Sequence, residues 1–205
     1  MAIFDRAKNI LLSPKTEWQT ISTETETPQS LLMKYVIPMA LIPAIALFIG
    51  YGLIGFDVLV ARVSGLGWGV EMAVISFISS IIGYYISTYV VDALAPNFGS
   101  EKNIGRSAQL VAYSYTASWV AGIFFILPSL SILALLGLYG IYLLYLGLPV
   151  LKKTPADKQI GYIAVSIIVI IIVVFVIRLI ISKITYAIVG DPFLGELDNM
   201  HGFFR

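Results

Sequence analysis

SAQLVAYSYTASWVAGIFFILPSLSILALLGLYGIYLLYLGLPVL, residues Ser107–Leu151, contains no Asp, Glu, Lys, Arg or His. As one helix it would be about 65–70 Å long at about 1.5 Å rise per residue. A bilayer hydrocarbon core is only about 30 Å thick, so a single crossing cannot use the whole run. Two crossings can, if the chain turns between them. Pro128-Ser129 stands near the middle. Proline lacks an N–H and pushes the residue before it out of helical geometry, so it suits a break between two helices. The stretch therefore predicts a lipid-embedded helical hairpin with both ends on one side of the membrane. Charges resume at Lys102 and Arg106 before it and at Lys152 and Lys153 after it.

Working outward, the 205-residue chain is 59% hydrophobic and 12% charged, against about 25% charged residues in soluble domains. Lipid is where that apolar excess can go. The fold class is an all-α integral membrane protein, a bundle of five transmembrane helices with a short amphipathic N-terminal segment, and its first partner is the lipid bilayer. A net charge of +1 gives no reason to expect a nucleic-acid partner. The absence of cysteine excludes disulfides, thiol catalysis and thiolate metal sites. The first 30 residues lack the short apolar core of a cleavable signal, so the first span is expected to act as the targeting signal.

Residues 1–30 form the N-terminal segment and linker. Ile3, Phe4, Ala7, Ile10 and Leu11 fall on one helical face. Ser13-Pro14 looks like an N-cap followed by proline at the first helical position, opening a second short helix with Trp18 and Ile21 on its apolar side. Two placements stay open: both helices in the headgroup region, or packed on the protein's own loops. The membrane domain covers 31–189, with spans at roughly 31–56, 72–91, 107–127, 130–150 and 160–181. Pro38 and Pro43 should bend the first. The loop from Asp57 to Glu71 carries Gly65, Gly67, Gly69 and Trp68, and reads as a flexible turn. Residues 190–205 form a short tail after Gly190-Asp191-Pro192.

Orientation follows the Lys and Arg distribution. One side holds Arg6, Lys8, Lys15, Lys34, Lys102, Arg106, Lys152, Lys153 and Lys158; the other holds Arg62, Arg178, Lys183 and Arg205. This bias puts the N-terminus in the cytosol and the C-terminus on the opposite side of the cell membrane. Arg178, near the end of the fifth span, is expected to snorkel outward.

Helices in lipid associate through small residues that let backbones approach. The candidate packing positions are Ser76, Ser80, Gly83 and Ser87 on the second span. Ser114, Ser118 and Gly122 take that part on the third, and Gly137 and Gly140 on the fourth. The hydroxyls of spans two and three serve either as packing glue or as the lining of a small polar cavity. Tyr139, Tyr142 and Tyr145 form a stripe on the fourth span. Ionisable residues stand near span ends only, which argues against a proton pump. His201 is the sole histidine, so neither a His-based metal site nor a Ser-His pair is supported. No Gly-Lys-Ser/Thr phosphate loop is present. The expectation is no catalytic residue, no metal and no cofactor. Asp92 and Glu101 are read as part of a solvated loop face.

The runs DALAPNFGSEKNIGRSAQLVAYSYTASWVAGIF (92–124) and LLGLYGIYLLYLGLPVLKKTPADKQIGY (135–162), with RAKNILLSPKTEW (6–18), resemble the prokaryotic branch of the Yip family of membrane proteins. The resemblance covers essentially the whole chain. It implies five helical spans with a cytosolic N-terminus. Eukaryotic Yip proteins bind prenylated Rab-type GTPases. Of their Asp-Leu-Tyr-Gly-Pro motif this chain keeps Asp92, Leu94 and Pro96 and lacks the Tyr-Gly pair. The long N-terminal region of those proteins is also replaced by about 30 residues. What the resemblance implies here is the architecture.

Three function classes follow. The first is a non-enzymatic scaffold or adaptor that binds a membrane or cytosolic protein partner, or lipid, through its cytosolic loops. Its candidate docking residues are Asp92, Leu94, Pro96, Asn97, Phe98 and Arg106, and a homo-oligomer is compatible with it. The second is a permease or channel for a small neutral solute or lipid along the hydroxyl-rich faces of spans two and three. An intramembrane enzyme ranks last.

Overall fold

The computed structural model describes residues 2–58 and 61–189. The C-terminal tail from Gly190, with His201 and Arg205, lies outside the described residues, as does the Arg178 side chain. Two short helices come first: α1 (Ile3–Leu12) and α2 (Pro14–Thr23). Four long helices follow, each long and apolar enough to cross a membrane: α3 (Pro28–Ile54), α4 (Leu66–Phe98), α5 (Ile104–Ile126) and α6 (Pro128–Lys152). The fifth, α7 (Gln159–Val189), opens with the apolar segment Gln159–Val173. This is the all-α, five-helix membrane architecture expected from the composition. Residues up to Ile167 form one compact unit, and those from Ile168 form a second.

The helix ends follow their sequence signals. Thr27 caps α3, its hydroxyl accepting from the Ser30 N–H at 3.1 Å, with Pro28 in the first turn. Asn103 caps α5 in the same way, accepting from the Arg106 N–H at 3.1 Å. Gly99, at φ 65, closes α4 in the left-handed region that glycine enters without a Cβ penalty. The prolines of α3 do not break it. Around them, at Leu32–Val36 and Phe48–Ile54, the hydrogen bonds widen to i→i+5, which absorbs the missing N–H groups.

The electrically silent run is the hairpin α5–α6. Leu127, at φ −112 and ψ 105, is its one extended residue before Pro128. The two limbs tighten near the turn: Gly122–Ile126 and the 11 residues Pro128–Leu138 both follow 3₁₀ geometry. At about 2.0 Å rise per residue, the longer stretch covers roughly 22 Å where an α-helix would cover roughly 16 Å.

Three expectations change. The connection read as a flexible turn from Asp57 to Glu71 contains a short antiparallel hairpin, β1 (Phe56–Val58) paired with β2 (Ala61–Val63). The next helix starts at Leu66, six residues before the expected boundary, and its first turns pack glycine on glycine: a Cβ on Gly69 would come within 2.5 Å of the Gly52 Cα. The N-terminal helices pack on α5 and α6 rather than on the protein's own loops. Ile10, Trp18 and Ile21 are wholly buried there, and a Cβ on Gly147 would strike Leu110 at 2.5 Å and the Trp18 ring at 2.8 Å. The tip of the α1–α2 pair reaches Tyr139, whose hydroxyl donates to the Leu11 carbonyl at 3.2 Å. Along α6 that point stands about 20 Å from Lys152. Lys8, Lys15, Thr16, Gln19 and Thr20 face outward from this pair.

Candidate functional site at the polar end of the bundle

The N-terminal helices and the ends of α4, α5 and α6 meet at one pole, and the buried polar groups gather there. Asp92 is the centre. It sits in the last turns of α4, and its Oδ1 accepts three hydrogen bonds: from the Asn103 N–H at 2.8 Å, the Ser107 hydroxyl at 3.0 Å and the Lys152 ammonium at 3.1 Å. Lys152, the last residue of α6, has a fully buried side chain. It also donates to Ser107 Oγ at 2.7 Å and to the Asn103 carbonyl at 3.3 Å, so all three ammonium hydrogens are used. This corrects the solvated loop expected for Asp92, and it removes Lys152 from the exposed basic face. A charge cannot be buried alone at tolerable cost. The sequence resolves this by placing opposite charges, 60 positions apart, at two helix ends that face each other.

The network extends to both connecting loops. Ser100 and Thr154 join hydroxyls at 2.8 Å, and the Glu101 N–H donates to the Lys152 carbonyl at 2.9 Å. Phe98 stacks on Tyr162 of α7 with ring centroids 4.9 Å apart, and the Tyr162 hydroxyl donates to the Val91 carbonyl. Lys153 and Glu101 pair across the outer surface at 2.6 Å, both exposed.

A second network fastens the N-terminal helices. Arg6 is buried, donates to Glu17 at 2.5 Å and also to Glu24, and lies 5.4 Å from the centroid of the Tyr113 ring. Burial disfavours the Arg6 charge. The hydrogen bond to Glu24 and the fields of Glu24 and Glu17 outweigh it and hold its pKa above the usual arginine value. Arg106 and Gln109, one turn apart on α5, both reach the exposed carbonyl at the end of α2: each donates to the Glu24 carbonyl at 3.0 Å.

Of the candidate docking residues, Pro96 and Asn97 are exposed, Leu94 and Phe98 are half-buried, Asp92 is in the buried pair, and Arg106 is committed to α2. Beside them an open cleft of about 580 Å³ is lined by Thr27, Pro28, Gln29, Tyr85, Tyr89, Asp92, Lys102 and Ile104. Tyr85, Tyr89 and Asp92, at i, i+4 and i+7 on α4, supply one wall, a spacing that is present in the sequence but that charge and hydropathy alone do not mark. Lys152 had no such signal, since its neighbour Lys153 has the same chemistry.

The small-residue positions spread over several contacts. Ser118 Oγ donates to the Gly137 carbonyl at 3.2 Å, and a Cβ on Gly137 would come within 2.9 Å of the Ser118 Cα. Gly140 lies against Ser114, whose carbonyl oxygen a Cβ would approach to 2.7 Å, and Gly122 lies against Pro43. Ser87 meets the Tyr115 hydroxyl at 2.5 Å. Ser80 donates to the Ser76 carbonyl within α4 at 2.9 Å, and Gly83 has open space beside it. A second cleft, about 320 Å³, is lined by Pro43, Ser76, Ser79, Ser80, Tyr115, Ser118 and Trp119. Among the described residues no group of three or more His, Cys, Asp or Glu is gathered as for a metal ion.

No match was found among curated proteins or among solved structures. A family model for the Yip1 domain does match, over residues 8–178. That range takes in the second half of α1, α2 through α6 and the buried Asp92–Lys152 pair, and it covers well over half of the chain. This multi-pass membrane protein with its polar pole therefore belongs to the Yip1 domain family.

Proposed function

We propose that the chain is a non-enzymatic membrane scaffold or adaptor of the Yip type, which docks a protein partner on its polar pole. The observation that supports this is the way the Asp92–Lys152 network stiffens the loops at 95–103 and 153–158 while leaving Pro96, Asn97, Lys102, Lys153 and Lys158 exposed on their outer surface. A rigid exposed surface loses little conformational entropy on binding. The pole carries most of the basic residues and faces the cytosol in the cell membrane by the positive-inside bias. Arg6 and Lys152 are engaged internally, so the attraction to anionic headgroups comes from the remaining exposed lysines, at about 1 kcal/mol each near the surface. The test is a photo-crosslinking residue at Asn97, with one at Leu135 near the far turn as control. A defined protein adduct at Asn97, lost in Lys153→Glu/Lys158→Glu, is expected. Equal adducts at both positions would refute the docking surface.

A second function is favoured by one observation, the hydroxyl-lined cleft of Ser76, Ser79, Ser80, Tyr115 and Ser118. It fits a permease for a small neutral solute or lipid. Liposome uptake of glycerol abolished by Ser80→Leu would support it; uptake at the protein-free rate would exclude transport of that solute.

A further inference from the structure

Asp92 uses only one of its two carboxylate oxygens inside the protein. Oδ1 takes all three donors, and Oδ2 has no hydrogen-bond partner among the described residues while Asp92 lines the 580 Å³ cleft. A carboxylate offers about four acceptor sites over its two oxygens, so this one still has capacity where it meets the cleft. Its side chain is 10% exposed, which leaves Oδ2 reachable from one direction. Tyr89 and Tyr85 stand one and two turns before Asp92 on the same face of α4, their rings near parallel with centroids 6.5 Å apart. Lys102 stands at the rim, exposed and without an ion pair among the described residues.

Carboxylate oxygen, aromatic faces and a separate ammonium define a ligand with a cationic amine at one end and an anion next to it. Below the tyrosines, the exposed face of α4 turns apolar at Ile82, Ile78 and Ile75. A ligand bound at both levels is an amphiphile. We propose that this cleft binds the headgroup of a zwitterionic primary-amine phospholipid, phosphatidylethanolamine. The ammonium donates to Asp92 Oδ2 and lies against the tyrosine rings, the phosphate lies at Lys102, and the acyl chains follow the isoleucine face. A trimethylammonium headgroup gains the ring contact but has no N–H to give Oδ2. An anionic glycerol headgroup gains Lys102 but meets the carboxylate oxygen without a cation. The site goes beyond the adaptor role and stands with or without a protein partner.

The test is native mass spectrometry of the detergent-solubilised chain, incubated with equimolar phosphatidylethanolamine, phosphatidylcholine and phosphatidylglycerol of matched acyl chains. Phosphatidylethanolamine adducts should exceed each of the others by about threefold or more, the scale of the one hydrogen bond to Asp92 Oδ2 that neither competitor can make with an ammonium N–H. Tyr89→Ala, at an exposed position, removes the ring contact that both cationic headgroups make and should cut their adducts relative to phosphatidylglycerol by about threefold, whereas Tyr89→Phe keeps the ring and should retain them. Lys102→Ala, also exposed, removes the phosphate contact that all three lipids make and should lower every adduct. Melting curves of the variants that match the parent separate loss of binding from loss of fold. Equal adducts of all three lipids, a preference for phosphatidylglycerol, or adduct levels unchanged in both Tyr89→Ala and Lys102→Ala would each overturn the assignment.

Discussion

Replacing Lys152 with Met removes the one cation that neutralises Asp92 and keeps the shape of the side chain. The carboxylate then retains two donors, the Asn103 N–H and the Ser107 hydroxyl, in a site where the Lys152 side chain was 0% exposed. Breaking a buried pair from one side costs about 3–5 kcal/mol, because the remaining charge stays buried without its partner. Asp92→Asn leaves the Lys152 ammonium buried without its counter-charge and should cost a similar amount. The double variant Asp92→Asn/Lys152→Met carries neither charge, and the amide oxygen at 92 can still accept from Asn103 and Ser107. Its loss should fall well short of the sum, with a coupling of about 2 kcal/mol or more. The assay is unfolding by SDS titration in mixed micelles, followed by tryptophan fluorescence. Single losses below about 1 kcal/mol, the scale of exposed pairs, or strictly additive losses would refute the burial and pairing described for these two residues.

Gly147→Ala should destabilise by about 1–3 kcal/mol in the same titration, since its Cβ has no room between Leu110 and Trp18. Gly83→Ala, with open space beside it, should be neutral or gain up to about 1 kcal/mol from helix propensity; the reverse order would refute the packing at Gly147. Trp18→Ala removes a wholly buried ring and should cost about 3–5 kcal/mol. It should also speed limited proteolysis in the 24–27 linker before the rest of the chain is cut, and unchanged cleavage would mean that α2 is not held by this ring. A reporter fused to the C-terminus should read as lying opposite the cytosol, and a cytosolic signal would overturn the charge-based orientation.

The hairpin was legible because its signal is an absence: a charge-free run twice the needed length, with Pro128 near its middle. The helix caps at Thr27 and Asn103 were equally local. What could not be read were the partners of residues far apart in the chain. Lys152 and Lys153 are chemically identical neighbours, yet helical rotation turns the first onto Asp92, and the left-handed turn at Lys153, φ 52, sends the second outward to Glu101. The amphipathic pattern of Ile10, Trp18 and Ile21 announced a buried face without saying what buries it, and α5 and α6 turned out to do so. A short hairpin such as β1–β2 leaves no periodicity long enough to detect between glycines. Phe98 and Arg106, read as surface for a partner, belong in part to the chain's own fastening: one stacks on Tyr162, the other holds the end of α2.

The polar outer face of the α1–α2 pair also fixes where the waterline falls. Lys15, Thr16 and Gln19 cannot rest against acyl chains without a penalty of kilocalories, so on the flank of α5–α6 that carries the pair the oil must begin beyond the level of Tyr139, while on the α4 flank it can rise to Tyr85 and Tyr89. From Tyr139 to Pro128 the chain extends only about 22 Å, even with its stretched 3₁₀ winding. A slab of about 30 Å therefore has to pinch inward around this hairpin or the hairpin has to tilt less than its neighbours. Such a shape is cheapest to house in a thin bilayer, and reconstitution across lipids of increasing chain length should find the protein most stable in the shorter ones.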